Sequence, residues 1–291
     1  MKKYKAIFFD WDGTAVLNRR APVDNVISKM IPLLDKGIKL FIISGTTYEN
    51  IAGGSLHSLI PVNCLKNLFL GLGRGAFNLG FNDSGKLIEL YTNVPDIELR
   101  LRIDKAAFEV HQYLLKHYGL KTDIVFSRPN YCKVDLMVDN DRKENLFLQS
   151  DEIGRVHDLL SRHGYTYGLA GLLELARKIG KQNDIDIIPT TDAKYLEMGI
   201  TTKGDNVNYF MQHVVEKNSI TSSECCFWGD EFRFLAEGVP GSDAYMITSV
   251  SSDCDFFDVS GEMSLLPNNV MGVGGSIESF HKFLEQQLNL Y

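Results

Sequence analysis

Three short runs in this chain are almost continuously apolar, and each stops at a small polar cluster. Residues 4–9 run into Asp10-Trp11-Asp12-Gly13-Thr14, residues 38–43 into Ser44-Gly45-Thr46-Thr47, and residues 225–228 into Gly229-Asp230-Glu231. A strand with one wet face alternates apolar and polar residues. One without alternation is covered on both faces, as in a parallel sheet flanked by helices. Between the first two runs, Val23, Val26, Ile27, Met30, Leu33 and Leu34 recur at helical spacing, and Gly37 is placed to stop that helix. Pro32 predicts a kink or a short first helix. Residues 68–72 add a further buried strand, so the first part of the chain reads as βαβ and an α/β sheet.

The middle of the chain breaks this rhythm. Asn82-Asp83-Ser84-Gly85 is turn chemistry between two strand-like runs, 77–81 and 87–91. Residues 96–118 read as a long amphipathic helix ended by Gly119. Strands follow at 122–127 and 131–138, split by Arg128-Pro129-Asn130. Helices are expected at about 150–163 and 171–180, and strands at about 165–169, 185–188 and 195–198. This order, with its hairpins, is α+β with an antiparallel sheet. The parallel rhythm then returns: helix 206–217, strands 225–228 and 244–247, helix 276–288. The expected organisation is a discontinuous, Rossmann-like α/β core of residues 1–82 and 196–291, with an α+β domain inserted at 83–195.

Composition excludes several function classes. Lys plus Arg is 30 against 37 for Asp plus Glu, a net charge of −7. The chain thus lacks the basic footprint of a nucleic-acid or anionic-membrane binder. No apolar run approaches the roughly 20 residues a bilayer requires. The first apolar run stops at Asp10, too early for a signal peptide. The five cysteines are scattered without a CxxC pair. Reduced thiols in a cytoplasmic protein are therefore expected. The seven histidines form no HxH or HExxH pattern, which disfavours zinc. Gly71-Leu72-Gly73-Arg74-Gly75-Ala76 matches a loose dinucleotide fingerprint, but a strand follows it where that fingerprint needs a helix.

In an open parallel sheet, ligands bind outside the carboxyl ends of the strands. If these ends converge, Asp10, Asp12, Asp230 and Glu231 meet Ser44, and Lys203 joins them from Thr201-Thr202-Lys203-Gly204 at the start of a helix. Clustered carboxylates repel and raise one another's pKa unless a cation joins them. Oxygen-only ligands favour Mg²⁺. A carboxylate is a competent nucleophile for phosphorus. Its approach to an anion needs a cation such as Mg²⁺ and Lys203 to neutralise charge. A second carboxylate two residues on can protonate the leaving oxygen and then deprotonate water. Backbone amides around Trp11 and Gly45, with the Ser44 hydroxyl, can hold phosphoryl oxygens. Trp11, Thr14, Ser44, Gly45 and Lys203 are therefore the candidate phosphate-contacting residues.

The apolar strand followed by Asp10-Trp11-Asp12-Gly13-Thr14 resembles motif I of the haloacid dehalogenase superfamily of phosphohydrolases. Ser44, Lys203 and Asp230 resemble its motifs II, III and IV, in the family's order. An insertion between motifs II and III with this element order resembles the class IIB cap of Cof-type sugar phosphatases, trehalose-6-phosphate phosphatases and phosphomannomutases. Gly73-Arg74-Gly75-Ala76 is similar to the Asn-Gly-Ala segment those proteins carry before the cap. The resemblance implies Asp10 as nucleophile, Asp12 as general acid and base, and Mg²⁺ held by Asp10, the Asp12 carbonyl and Asp230. It implies a small phosphorylated metabolite as substrate, foremost a sugar phosphate, with Arg128 and Asn130 of the cap near the sugar. One departure concerns the metal. Cof-type proteins place a second acid four residues after the motif IV Asp, and Phe234 stands there. Glu231 and Asp243 are both open as replacements, with Glu231 expected to matter more. Two rival readings remain: a phosphomutase using the same Asp pair, and a non-catalytic protein on the same fold.

Overall fold

The computed structural model describes residues 2–139, 151–261 and 265–291. The chain divides into two compact units. The first comprises Met1–Asn93, Thr202–Arg233 and Asp243–Tyr291, and the second Val94–Thr201 and Phe234–Ser242. In chain order the elements are β1 (Ala6–Phe9), α1 (Asp24–Asp35), β2 (Lys39–Ile43), α2 (Leu56–Leu59), α3 (Val62–Leu65), β3 (Leu68–Leu72), β4 (Phe77–Phe81) and β5 (Leu87–Thr92). Next come α4 (Ile97–Tyr118), β6 (Asp123–Val125), β7 (Tyr131–Asp135), α5 (Glu152–Arg162), α6 (Gly168–Gln182), β8 (Thr190–Thr191) and β9 (Tyr195–Gly199). The chain finishes with α7 (Lys203–Phe210), β10 (Cys225–Gly229), β11 (Phe234–Ala236), β12 (Val239–Pro240), β13 (Asp255–Asp258), β14 (Val270–Gly272) and α8 (Ser276–Leu288).

The first unit carries an eight-stranded sheet in the order β14-β13-β10-β1-β2-β3-β4-β5. Its strands are parallel from β14 to β3, and β4 and β5 add an antiparallel hairpin at one edge. On one face Ile7, Phe9, Leu40 and Ile42 pack with Met30 and Leu33 of α1 and Phe280 and Leu284 of α8. On the other, Ala6, Phe8, Phe41 and Ile43 pack with Val207 and Phe210 of α7. Both faces are covered, which is why these strands do not alternate. The parallel register sets Phe256, Phe227, Phe8, Phe41 and Phe69 side by side across five strands. Successive ring centroids are 4.8, 4.4, 4.1 and 5.1 Å apart. This row locks the strands that carry the polar clusters at a common level.

The second unit has a four-stranded antiparallel sheet, β6-β7-β9-β8. Cys132, Val134, Leu196 and Met198 face Val110 of α4 and Leu172 and Ala176 of α6. Helix α4 has the boundaries its sequence suggests. Asp96 accepts a hydrogen bond from the Leu99 amide at 2.8 Å, and Gly119 ends the helix in a left-handed conformation.

Several sequence expectations are corrected by tertiary pairing. Strand β4 pairs onto β3 and β5 onto β4, so the first unit runs to Asn93 and not to residue 82. Strand β9 pairs with β7, which keeps residues up to Thr201 in the second unit. The segment 165–169 is a turn into α6, not a strand. Gly164 and Gly168 both have positive φ there, and Tyr165 is buried against Tyr118. The segment 185–188 is not a strand either. Ile185 and Ile187 point into the core, but Pro189 interrupts the chain's hydrogen bonding, and pairing resumes at β8. The expected strand at 244–247 is a 3₁₀ turn, Ser242–Met246, and β13 takes its place beside β10. Helix α7 begins at Lys203, earlier than expected, and continues through a π-helical turn, Met211–Val215. Helix α1 is continuous, with Pro32 near its C-terminal end.

The aromatic row yields a stability prediction. Phe8→Ala removes a fully buried ring flanked on both sides, and should destabilise the protein by about 3–5 kcal/mol. Phe69→Ala, at the partly buried end of the row, should cost clearly less. Denaturant midpoints compare the two, and equal losses would show that the row has no central keystone.

Candidate active site

The order of the parallel strands places β1 at the point where the chain's winding reverses. Strands β2 and β3 lie on one side of it, and β10, β13 and β14 on the other. A cleft opens at such a switch point, outside the carboxyl ends of the strands. Asp10 follows β1, Ser44 follows β2, and Asp230 follows β10. All three belong to the first unit, as do Lys203, Glu231 and Asp243.

Lys203 holds the centre of the cluster. Its ammonium donates to Asp10 Oδ1 at 2.7 Å and to Asp243 Oδ1 at 2.7 Å, and all three side chains are buried. The lysine is the first residue of α7, fixed by a capping box in which Thr202 accepts from the Gly204 amide and Asp205 accepts from the Thr202 amide at 2.8 Å. Farther along α7, the Asn206 carboxamide accepts from the Gly75 amide at 2.8 Å and donates to the Phe77 carbonyl at 3.0 Å. Helix α7 lies close on β3 there, because any Cβ on Gly71 would meet the Asn206 side chain at 2.6 Å. Gly73, Arg74 and Gly75 all have positive φ, so the segment beneath Asn206 is a tight left-handed turn.

Asp10, Asp230 and Asp243 each offer a carboxylate oxygen within 4.8 Å of the others. Asp243 is brought there from 13 residues beyond Asp230. Its Oδ2 accepts from the Asp230 amide at 3.0 Å and the Glu231 amide at 2.9 Å, and its own amide donates to the Glu231 carbonyl at 3.1 Å. Two glycines make room. A Cβ on Gly229 would sit 2.3 Å from Asp243 Oδ2, and one on Gly13 would sit 2.2 Å from Asp230 Oδ2. The Thr14 hydroxyl donates to Asp230 Oδ1 at 3.2 Å. Asp258, at the end of β13, accepts from the Phe232 amide at 3.2 Å and so braces the loop after Glu231.

These contacts decide which of the expected acids the fold brings together. Asp243, and not Glu231, completes the acidic cluster. The Glu231 carboxylate lies outside it, although its charge adds to the repulsion on Asp230. Phe234, where a relative's acid would stand, opens β11 in the second unit. The Asp12 carboxylate is also outside the cluster. Its Oδ2 pairs with Arg19 at 3.2 Å, and its buried Oδ1 has no hydrogen-bond partner among the described residues. Arg19 carries no motif and was invisible in the sequence. It lies seven residues beyond Asp12, on the far side of a turn. Ser44 is buried, its amide donating to the Gly71 carbonyl at 2.9 Å, and its hydroxyl accepts from the Thr46 amide at 3.4 Å. Trp11 is fully buried, and its indole nitrogen has no partner among the described residues. Gly45 lies beside the Arg74 side chain. Arg128 and Asn130 belong to the second unit. The Asn130 amide donates to Thr201 at 3.3 Å, and the Arg128 carbonyl accepts from Arg100, so both anchor the turn between β6 and β7.

The electrostatics follow from burial. Burial pushes the Asp10 carboxyl up to about 8; Lys203 opposes this, and Asp243 and Asp12 add to it. Burial and the charges of Glu231, Asp243 and Asp10 raise Asp230 well above the usual carboxylate range. For Lys203, burial favours the neutral amine, but Asp10 and Asp243 outweigh it and hold the ammonium. Burial raises Asp12 as well, with Arg19 and Lys203 opposing. An all-oxygen group of three acids against one lysine suits a hard divalent cation, which would cancel the repulsion.

No family model matches the chain, and no curated protein matches it. Solved structures do. An N-terminally truncated Plasmodium falciparum IMP-nucleotidase superposes with a TM-score of 0.61 at 13% identity, over 99% of this chain and 71% of that one. An IMP-bound mutant of the same nucleotidase gives 0.60 at 12%, over 99% and 68%. A Eubacterium rectale protein gives 0.52 at 13%, over 97% and 98%. The chain has the haloacid dehalogenase fold. Within that fold, Asp10, Ser44 and Asp230 follow β1, β2 and β10, and Lys203 opens α7. Among the described residues no helix is long and apolar enough to cross a membrane.

Two predictions arise from this geometry. A carboxyl whose folded pKa lies above its usual 3.8 takes up protons on folding, so the cation-free protein should lose stability as pH rises from about 4 towards 8. Added magnesium chloride should therefore raise the melting temperature more at pH 8 than at pH 5. Thermal melts of chelator-treated protein test this, and an equal or larger shift at pH 5 contradicts it. For the ligand set, calorimetric titration with Mg²⁺ should show Asp243→Ala weakening affinity by about ten- to a hundredfold. Glu231→Ala should stay within about twofold of the parent protein. The reverse ranking would return the role to Glu231.

Proposed function

We propose that this protein is a Mg²⁺-dependent phosphomonoester hydrolase acting on a small phosphorylated metabolite, foremost a sugar phosphate, through an aspartyl-phosphate on Asp10. The observation that carries this reading is the buried Lys203 ammonium bridging Asp10 and Asp243 at the end of β1, beside Asp230. Asp10 and Asp230 each keep one carboxylate oxygen outside the hydrogen bonds described above, and would hold the Mg²⁺ together with the Asp12 carbonyl. The ion would supply charge neutralisation for the entering phosphoryl group.

In this scheme Asp10 Oδ attacks phosphorus and the bond from phosphorus to the leaving oxygen breaks. Asp12 gives that oxygen a proton, and then takes one from the water that cleaves the acyl phosphate, releasing inorganic phosphate and restoring Asp10. The Arg19 contact leaves one Asp12 oxygen available for this exchange. Ser44, the Gly45 and Trp11 amides, Thr14 and Lys203 are the groups assigned to the phosphoryl oxygens. A carboxylate nucleophile in a buried, lysine-paired setting also serves a phosphomutase. The similarity to an IMP-nucleotidase over 99% of the chain adds nucleoside monophosphates to the substrates worth testing.

Phosphate release should be measured across sugar phosphates and nucleoside monophosphates, with Mg²⁺ present and then chelated. Turnover that depends on Mg²⁺, and needs no bisphosphate, is the expected result. Asp10→Asn should lower kcat by about a thousandfold or more, with Mg²⁺ still bound more weakly. Retention of more than a few per cent of activity would rule out the covalent route. Transfer between two positions of one sugar without phosphate release would assign a mutase instead.

A further inference from the structure

The C-terminal helix α8 touches the nucleophile strand at both of its ends. At the start of β1, the buried Gln287 carboxamide accepts from the Tyr4 amide at 3.0 Å and donates to the Lys2 carbonyl at 2.9 Å. Past the other end, His281 Nε2 lies 2.8 Å from the Ala15 carbonyl, and His281 Nδ1 lies 3.0 Å from Asn25 Nδ2. Between these points Phe280 packs on Phe9 at a centroid distance of 4.9 Å and on Trp228 of β10 at 5.6 Å. Residues 280–287 of one helix thus span β1 and the loop that carries Asp10, Asp12 and Thr14.

The hydrogen bonds of His281 fix its chemical form. Asn25 Oδ1 accepts from Lys29 Nζ at 2.8 Å, which turns the Asn25 amide nitrogen towards the ring. That nitrogen can only donate, so Nδ1 must accept and Nε2 must carry the proton. A carbonyl can only accept, so the Nε2–H is aimed at Ala15. Both ring nitrogens are satisfied in one neutral tautomer, and His281 is only 7% exposed.

The loop has a reason to need this brace. Its backbone hydrogen bonds within residues 11–16 are short-range: Ala15 and Val16 amides to the Trp11 carbonyl, both at 3.0 Å, and the Gly13 amide to the Val16 carbonyl at 2.8 Å. These close the turn on itself; the Thr14 hydroxyl ties it to Asp230 at 3.2 Å and the Asp12 carboxylate ties it to Arg19 at 3.2 Å, but neither holds its Ala15 end. The Ala15 carbonyl is the turn's link to α8, and Ala15 is fully buried, so no water can replace His281 as donor without disturbing the packing.

We infer that His281 is a positioning residue which, as the neutral Nε2–H tautomer oriented by Asn25, clamps the loop of Asp10, Asp12 and Thr14 to the C-terminal helix. It does not touch the reacting atoms. It acts by keeping the Asp12 and Thr14 backbone at a constant distance from Asp10, where about 1 Å of displacement is costly to turnover. The catalytic consequence rests on the proposed function, whereas the clamp itself does not, and two readouts separate them.

The test compares His281→Leu, His281→Gln and Asn25→Ala in the full chain. Leu keeps the bulk and removes both hydrogen bonds; Gln restores a donor of similar reach; Asn25 is exposed, so its truncation leaves the core intact. Amide hydrogen exchange of a peptide covering residues 11–16 should quicken about tenfold or more in His281→Leu, with β2 peptides unchanged. His281→Gln should bring it back to within about threefold, and Asn25→Ala should fall between. With a phosphomonoester that the parent protein turns over, kcat should drop about tenfold in His281→Leu, KM should change less than twofold, and Gln should restore kcat. Unaltered exchange of the 11–16 peptide in both His281→Leu and Asn25→Ala would overturn the clamp. Equal loss in the Leu and Gln variants would reduce His281 to packing and also overturn it. Faster exchange in a protein that hydrolyses no phosphomonoester would uphold the clamp and discard the hydrolase reading.

Discussion

Two buried carboxylates that share one ammonium, with a third, half-buried carboxylate beside them, set the terms for the rest of this protein. Asp10 and Asp243 share Lys203, each at 2.7 Å, and Asp230 crowds the same space. Such a group has an excess of negative charge and little water to disperse it, so it is costly to assemble. Every nearby feature serves to make that assembly possible. Glycines 13 and 229 give up side chains so that two carboxylates can approach. Backbone amides of residues 230 and 231 face Asp243, and a capped helix presents the lysine at its first residue. In the function proposed above, a divalent cation would supply the positive charge that this cluster lacks.

The scaffold contributes rigidity at a common level. Parallel pairing in one register puts the ends of β1, β2 and β10 side by side, and the five stacked phenylalanines fill the space below them. Core interiors are close-packed, so a change in that row shifts strand ends and not only local side chains. On the opposite face α8 runs beside β1, holding its start through Gln287 and the turn beyond it through His281.

How much of this was legible in the sequence can be argued residue by residue. The apolar runs ending at Asp10, Ser44 and Asp230 identified the parallel strands because a buried strand leaves a clear imprint: no alternation, then an abrupt polar end. Helix α4 was legible because Asp96 and Gly119 are local capping chemistry. Asp243 was seen but ranked behind Glu231, since adjacency to Asp230 looked like proximity. The chain decided otherwise: the hairpin β11–β12 departs after Arg233, and a turn at Ser242–Met246 returns Asp243 onto the Asp230 and Glu231 amides. Arg19 and His281 left no local signal, because their partners Asp12 and Ala15 are fixed by a turn and by a helix some 266 residues away.

The sequence by itself determined the sheet class, the order of the motifs and the chemical types gathered at the strand ends, because burial and local capping act over a few residues and write their pattern directly into them. Only the tertiary structure decided which carboxylates meet. Hydrogen-bonded register moved β4 and β5 into the first unit and β13 beside β10, where a strand at 244–247 had been expected. Hydrogen bonds across the chain's return set Asp243, and not Glu231, in the acidic cluster, and a turn set Arg19 on Asp12. Such choices depend on the positions of backbone amides and on room left by absent side chains, and neither exists until the chain has folded.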